Sequence, residues 1–180
     1  MSTTIREGYV PGCIGRIAEL HASYYHRTAG FGLAFESKVA RELADFCERR
    51  VVGRDGLWLA VLDGRIEGSI VIDGAHAARD GAHLRWFIVS DVVRGCGVGR
   101  GLLDSAMVFC RARGYDRVHL WTFEGLDAAR HLYEKAGFRL AHQQCGRQWG
   151  TAVNEQRFEL GGDASARPGA GTPSAPPADS

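Results

Sequence analysis

Three glycines at alternate positions, Gly95, Gly97 and Gly99, lie between Arg94 and Arg100 in the stretch Ser90-Asp-Val-Val-Arg-Gly-Cys-Gly-Val-Gly-Arg-Gly-Leu-Leu103. With no side chains in the way, the backbone amides of such a turn can approach a ligand closely. The apolar run ahead of it reads as a strand, and the apolar spacing behind it as a helix starting near Val98. A helix beginning there adds unpaired amides and the positive end of its dipole. That is a seat for phosphate, and the two arginines add charge-assisted hydrogen bonds. The residues therefore point to a phosphorylated cofactor. A P-loop would need Lys and then Ser or Thr behind the glycines, and this chain has neither there. A dinucleotide fingerprint would need its third glycine where Arg100 stands, with repeated βαβ units around it. A tight turn without a ligand is the bland alternative.

A third reading fits better. Arg94-Gly-Cys-Gly97-Val-Gly99 resembles the Arg/Gln-x-x-Gly-x-Gly/Ala signature of the GNAT superfamily of acyl-CoA-dependent N-acyltransferases. Ala129-Arg-His-Leu132-Tyr133-Glu-Lys-Ala-Gly137-Phe138 resembles that family's second hallmark, Ala-x-x-Leu-Tyr-x-x-x-Gly-Phe, and the two occur in the family's order. The resemblance spans about residues 5–160. It implies acetyl-CoA as cosubstrate, its diphosphate held by Arg94, Gly95, Cys96, Gly97, Val98, Gly99 and Arg100. It implies backbone contacts from Phe87, Ile88 and Val89 to the pantetheine arm, in a gap where the fourth and fifth strands splay apart. Many members carry an asparagine three residues before the motif alanine. This chain has Leu126 there, so that contact is expected to be lost or made by backbone. The run from His119 to Tyr133, with residues 83–89, is similar to a GNAT branch often fused behind a MarR-type winged-helix regulator. Here the chain starts at the acyltransferase, so no DNA-binding half is expected.

Moving an acyl group from a thioester to an amine requires a held carbonyl, a neutral amine and a proton for the departing thiolate. Tyr133 stands where the resemblance implies a tyrosine acid, and a phenol of pKa about 10 stays protonated near neutrality. The bland reading of Tyr133 is core packing on an amphipathic helix. The base is open between two residues. His83 lies at the start of the fourth strand, where the resemblance implies Glu or His in several members, and an imidazole titrates in a suitable range. Glu124 lies at the end of the fifth strand, near the expected splay. For each, the bland reading is a solvated residue at a strand end. An α-amine, with a pKa near 8, is neutralised far more readily than a lysine-type amine near 10.4, so it could react with only a water relay.

These groups need elements to place them. The pattern predicts a first strand over residues 5–10 and helices over 12–25 and 35–50. Strands over 57–62 and 65–73 flank the hairpin signal Asp63-Gly64. A loop over 75–81 and a fourth strand over 83–89 lead to the glycine turn. The helix behind it ends at Arg113-Gly114, with Leu102, Leu103, Ala106, Met107 and Cys110 on one stripe. A largely apolar, internal fifth strand over 117–123 follows. Next come a helix over 126–136, stopped by Gly137, and paired strands over 138–142 and 153–160. The segment from His21 to Gly32 is aromatic and reads as a loop or helix break around 26–33. In the family the region between the first two helices often covers the acceptor, and a plain surface loop is the alternative.

The expected fold is α/β and GNAT-like: a mixed, mostly antiparallel sheet of about seven strands flanked by about four helices. Residues 1–160 form the domain. The tail from 161, rich in Ala, Pro, Gly and Ser, cannot bury a core and is expected to be disordered. A net charge of +1 with scattered Lys and Arg gives no nucleic-acid footprint. No apolar run is long enough to span a membrane, and no signal peptide opens the chain. The 5 cysteines form no Cys-x-x-Cys and read as reduced thiols in a cytoplasmic protein. His21 and His26 are too unevenly spaced for a helical metal pair, so no metal is expected. The expected acceptor is a primary amine of a small molecule or peptide, attacking directly in a ternary complex. The residues leave a homodimer open. The rival function is a non-catalytic acyl-CoA sensor or companion of a transcription regulator.

Overall fold

The structure is a computed structural model that describes residues 3–161. The chain runs β1 (Thr4–Glu7), α1 (Cys13–Ala29), α2 (Leu33–Arg49), β2 (Gly56–Leu62), β3 (Arg65–Asp73) and α3 (Ala77–Asp80). It continues through β4 (Ala82–Val89), α4 (Val98–Ala112), β5 (Val118–Phe123), α5 (Asp127–Lys135), β6 (Arg139–Gly146) and β7 (Val153–Leu160). One sheet takes the order β1-β2-β3-β4-β5-β7-β6, and only β4 and β5 pair in parallel. Beyond Gly161, the expected tail lies outside the described residues.

Local sequence explains most of these elements. Asp63 and Gly64 take positive φ, 47° and 80°, and close the two-residue turn between β2 and β3. On α2, Phe35, Val39, Leu43 and Phe46 are buried as a stripe, and they pack with Ile17 of α1 against Leu57, Leu59 and Val71. On the other face, Leu102, Ala106 and Met107 of α4 pack on Ile70, Leu84 and Leu120. Each such side chain contributes about 1.5–3 kcal/mol by leaving water. The sheet is thus clamped between α1/α2 and α4/α5.

Several expectations need correction. The break expected around 26–33 is narrower than that: α1 continues to Ala29 and stops at Gly30 (φ 68°), so only Gly30–Gly32 separate it from α2. The expected loop over 75–81 contains the single turn α3, the fifth helix among the described residues beside the four longer ones. β1 is shorter than expected and ends before Gly8, whose φ is 96°. β6 runs four residues past His142 to Gly146, because its ladder with β7 continues through Cys145↔Asn154. Its residues are almost all exposed, so no apolar alternation marks its length.

Two irregularities in β4 interrupt the regular sheet. The strand pairs with β5 only at Ala82↔Val118 and His83↔His119, after which the two diverge. Its pairing with β3 skips from Ser69↔Ile88 to Val71↔Arg85, which leaves Trp86 and Phe87 opposite Ile70. This bulge puts Trp86 at φ 44°, and the Ser69 hydroxyl donates to the Trp86 carbonyl at 2.7 Å.

Candidate active site

The divergence of β4 from β5 leaves two adjoining cavities, of about 570 and 320 Å³. Both are lined by Tyr25 and Phe87. The larger runs from the glycine turn along β4 to the start of α5. The smaller lies between α2, β4, β5 and the loop joining β6 to β7.

The larger cavity gathers Phe87, Ile88, Val89, Arg94, Gly95, Gly97, Gly99 and Arg100, as the sequence suggested. Gly95 and Gly97 hold φ of 80° and 78°, which side-chain-bearing residues adopt at a cost. Gly97 is the N-cap of α4, so the first amides of that helix are free for a ligand. A Cβ on Gly99 would meet Leu132 Cδ1 at 3.4 Å, Val89 Cγ2 at 3.5 Å and Phe87 Cζ at 3.7 Å, so the wall is close-fitting here. Arg94 is positioned by the Val89 carbonyl at 2.9 Å, by Asp91 at 2.5 Å and by the ring of Tyr24 at 4.7 Å. Arg100 is exposed, 3.7 Å from Asp104. Cys96 and Val98 stand apart from the others: they line a separate groove with Ile5 and Val92 behind the turn. Leu126 does line the cleft, as the N-cap of α5, without a side-chain capping bond.

The turn, the free helix start and the unpaired edge of β4 past His83 together suit a long phosphorylated thioester cofactor. The turn offers amides and cations to a diphosphate. The strand edge offers backbone donors and acceptors to an amide-bearing arm. The open strand edge is independent of the signature motif.

Tyr133 and His83 line the smaller cavity, together with residues the sequence did not single out. Tyr133 is held by the end of its helix. Phe138 N–H donates to the Tyr133 carbonyl and Gly137 N–H to Glu134, a Schellman stop that folds Phe138 back onto the tyrosine ring. Burial pushes the Tyr133 hydroxyl well above the ordinary phenol range, so it stays protonated. His83 stacks on His119 with centroids 4.4 Å apart, the last pair in register before the strands part. Burial, reinforced by Arg85, His119 and Arg157, holds the His83 pKa well below 6.5, so its imidazole is neutral.

Glu124 is not brought to either cavity. It is exposed beyond the end of β5, where Asn154 Nδ2 donates to it at 3.0 Å. His21 takes a place instead. Its Nδ1–H donates to the Ile17 carbonyl at 2.9 Å, which leaves Nε2 unprotonated in the neutral ring, and burial lowers its pKa to about 4. Tyr25 of the aromatic segment lines this cavity, from the last turns of a helix rather than from a loop. Tyr25 packs on Phe35 at 5.2 Å and Phe123 at 5.6 Å. From the opposite side comes Trp149, carried by a loop that the buried Glu155 fastens through Gln148 N–H at 2.9 Å. Lys38, Glu42 and Arg85 supply the charge. No motif marks these residues. Only the helical stripe on α2, which places Lys38 and Glu42 one turn apart beside Phe35 and Val39, hinted at them.

Comparison with known proteins agrees with this architecture. A Xenopus tropicalis protein named "Probable N-acetyltransferase camello" is 26% identical over 132 residues, which is 73% of this chain. The chain spans 60% of that relative's length. The Salmonella typhimurium protein yncA, solved with its cofactor acetyl-CoA, superposes with a TM-score of 0.71 at 20% identity, covering 94% of this chain and 99% of that one. The ribosomal-protein-S18-alanine N-acetyltransferase of Escherichia coli gives 0.65 at 19% identity, covering 88% and 93%. These structural likenesses show a shared fold. The sequence itself matches the acetyltransferase (GNAT) family over residues 16–138, a span holding both the glycine turn and the helix of Tyr133, and the chain belongs to that family.

Proposed function

We propose that the protein transfers an acetyl group from acetyl-CoA to a primary amine of a small molecule or peptide, by direct attack in a ternary complex. The observation that carries this reading is the meeting of the two cavities at Tyr25 and Phe87, where β4 has left β5. Bound acetyl-CoA supplies an activated thioester.

The chain's own residues do the rest. The amides of the glycine turn with Arg94 and Arg100 grip the diphosphate, while the β4 backbone at Phe87–Val89 aligns the arm. Tyr133 donates a proton to the departing sulfur, a role for which its buried, protonated hydroxyl is prepared. His83 accepts the proton of the amine, directly or through solvent. Glu124, which faces neither cavity, is the weaker candidate. A neutral imidazole of lowered pKa is a weak base, so this arrangement suits an amine that is already largely neutral.

A second reading, a non-catalytic acyl-CoA sensor or companion of a MarR-type regulator, is favoured only by Leu126. That side chain gives the cleft an apolar wall where many relatives have asparagine. Among the described residues no helix is long and apolar enough to cross a membrane. The enzyme reading takes the protein as cytoplasmic. Titration calorimetry with acetyl-CoA, followed by thiol release over an amine panel, tests both. Saturable binding with turnover supports the enzyme, binding without turnover supports the sensor, and no binding removes both.

A further inference from the structure

The smaller cavity carries a charge surplus that the transfer step does not use. Both oxygens of Glu42 are taken, one by Lys38 Nζ and the other by the Arg85 guanidinium. Arg85 also lies 3.9 Å from Asp73, but Arg49 clamps that carboxylate with two hydrogen bonds, and it accepts the Ala75 amide at 3.1 Å. His21 and His83 are neutral near pH 7. The lining therefore holds Lys38 and Arg85 against Glu42 alone.

Arg85 lies over the Trp86 ring at 4.0 Å, and its side chain is 21% exposed, so it can be reached yet is poorly screened. A guanidinium has about five N–H donors, and the bond to Glu42 occupies one. Around it the walls are aromatic: Phe35, Trp86, Trp121 and Trp149.

We infer that the acceptor is an amine bearing its own carboxylate and an aromatic or large aliphatic body, the carboxylate seated on Arg85 and Lys38 and the body among the tryptophans. This rests on the acetyl-transfer reading above. Arg85 precedes Phe87 by two residues on β4, and Phe87 borders both cavities. A strand rise of about 3.3 Å per residue puts a carboxylate held there within an amino acid's length of the acyl passage. The surplus cation also disfavours a protonated amine, easing formation of the nucleophile. Polyamines and lysine side chains bring further positive charge against the same wall.

Thiol release from acetyl-CoA is measured with phenylalanine, phenylalaninamide, phenethylamine and spermidine. Phenylalanine should exceed the two carboxylate-free aromatics by about tenfold or more in kcat/KM, the usual worth of a charged hydrogen bond, and spermidine should be poorest. Arg85→Gln and Lys38→Met should each raise KM for phenylalanine and leave KM for phenethylamine unchanged. Lys38→Met, at the more exposed position, serves if Arg85→Gln does not fold. Equal or faster turnover of phenethylamine, or variants that move both KM values alike, overturns this proposal while acetyl transfer stands. Absence of thiol release with every amine overturns the transfer reading and this proposal with it.

Discussion

Tyr133 is locked by packing on three sides and by the helix stop behind it, so its side chain can be shortened by one atom without moving its helix. Tyr133→Phe should lower kcat by about a hundredfold, the usual scale of a lost general acid, with acetyl-CoA affinity little changed in calorimetry. His83 makes a different prediction. Because its pKa lies well below 6.5, the wild-type rate should rise with pH only in the acid range and level off before neutrality. His83→Ala should lose that rising limb in a pH–kcat profile, whereas Glu124→Ala should keep it. At this scale the sequence showed the residues that belong to local motifs, Tyr133 and the arginines of the turn. It could not show Lys38, Glu42, Arg85 or Trp149, which meet only because α2, β4 and the β6–β7 loop are distant in sequence and close in space.

Among the elements, the turn and α4 were the most legible, since Gly95, Gly97 and the apolar stripe on α4 act through local geometry. Gly99 tests their role without disturbing them. Its helical backbone accepts a side chain, but anything larger than a methyl must enter the cleft past Leu132 and Val89. Gly99→Leu should therefore keep its far-ultraviolet circular dichroism and weaken acetyl-CoA by at least tenfold in calorimetry. The bulge in β4 was not legible. Residues 83–89 read as one unbroken strand, and nothing local marks Trp86 for φ 44°. The bulge arises from the register against β3, where Ile70 faces two residues, and it puts Arg85 and the ring beneath it on one face.

For the molecule as a whole, the buried imidazoles set the response to acid. His21 and His119 each have pKa values lowered to about 4 by burial, against an ordinary 6.5. Between those values the unfolded chain binds more protons than the folded one, so stability falls as pH falls. The loss begins near pH 6.5 and is complete below about pH 4, and His21 alone accounts for about 3 kcal/mol of it. Urea unfolding should give a flat stability above neutrality and a steep decline below it, and His21→Leu should flatten part of that decline. The overall architecture was legible because both hallmark segments and the strand order agreed. The helical reach of α1 was missed because Gly30 and Gly32 suggested an earlier break than the chain makes.

The narrow seam between β4 and β5 has one more outcome. Two residue pairs are all that join the half containing β1 to β4 with the half containing β5, β7 and β6 across the sheet. A ligand laid along the open edge would act as a clasp. Amide hydrogen exchange should slow on both sides of the seam when acetyl-CoA is added, β5 included, although no residue of that strand lines the larger cavity. The apoprotein would breathe there, and the cosubstrate would serve as a temporary strut before it serves as a reagent.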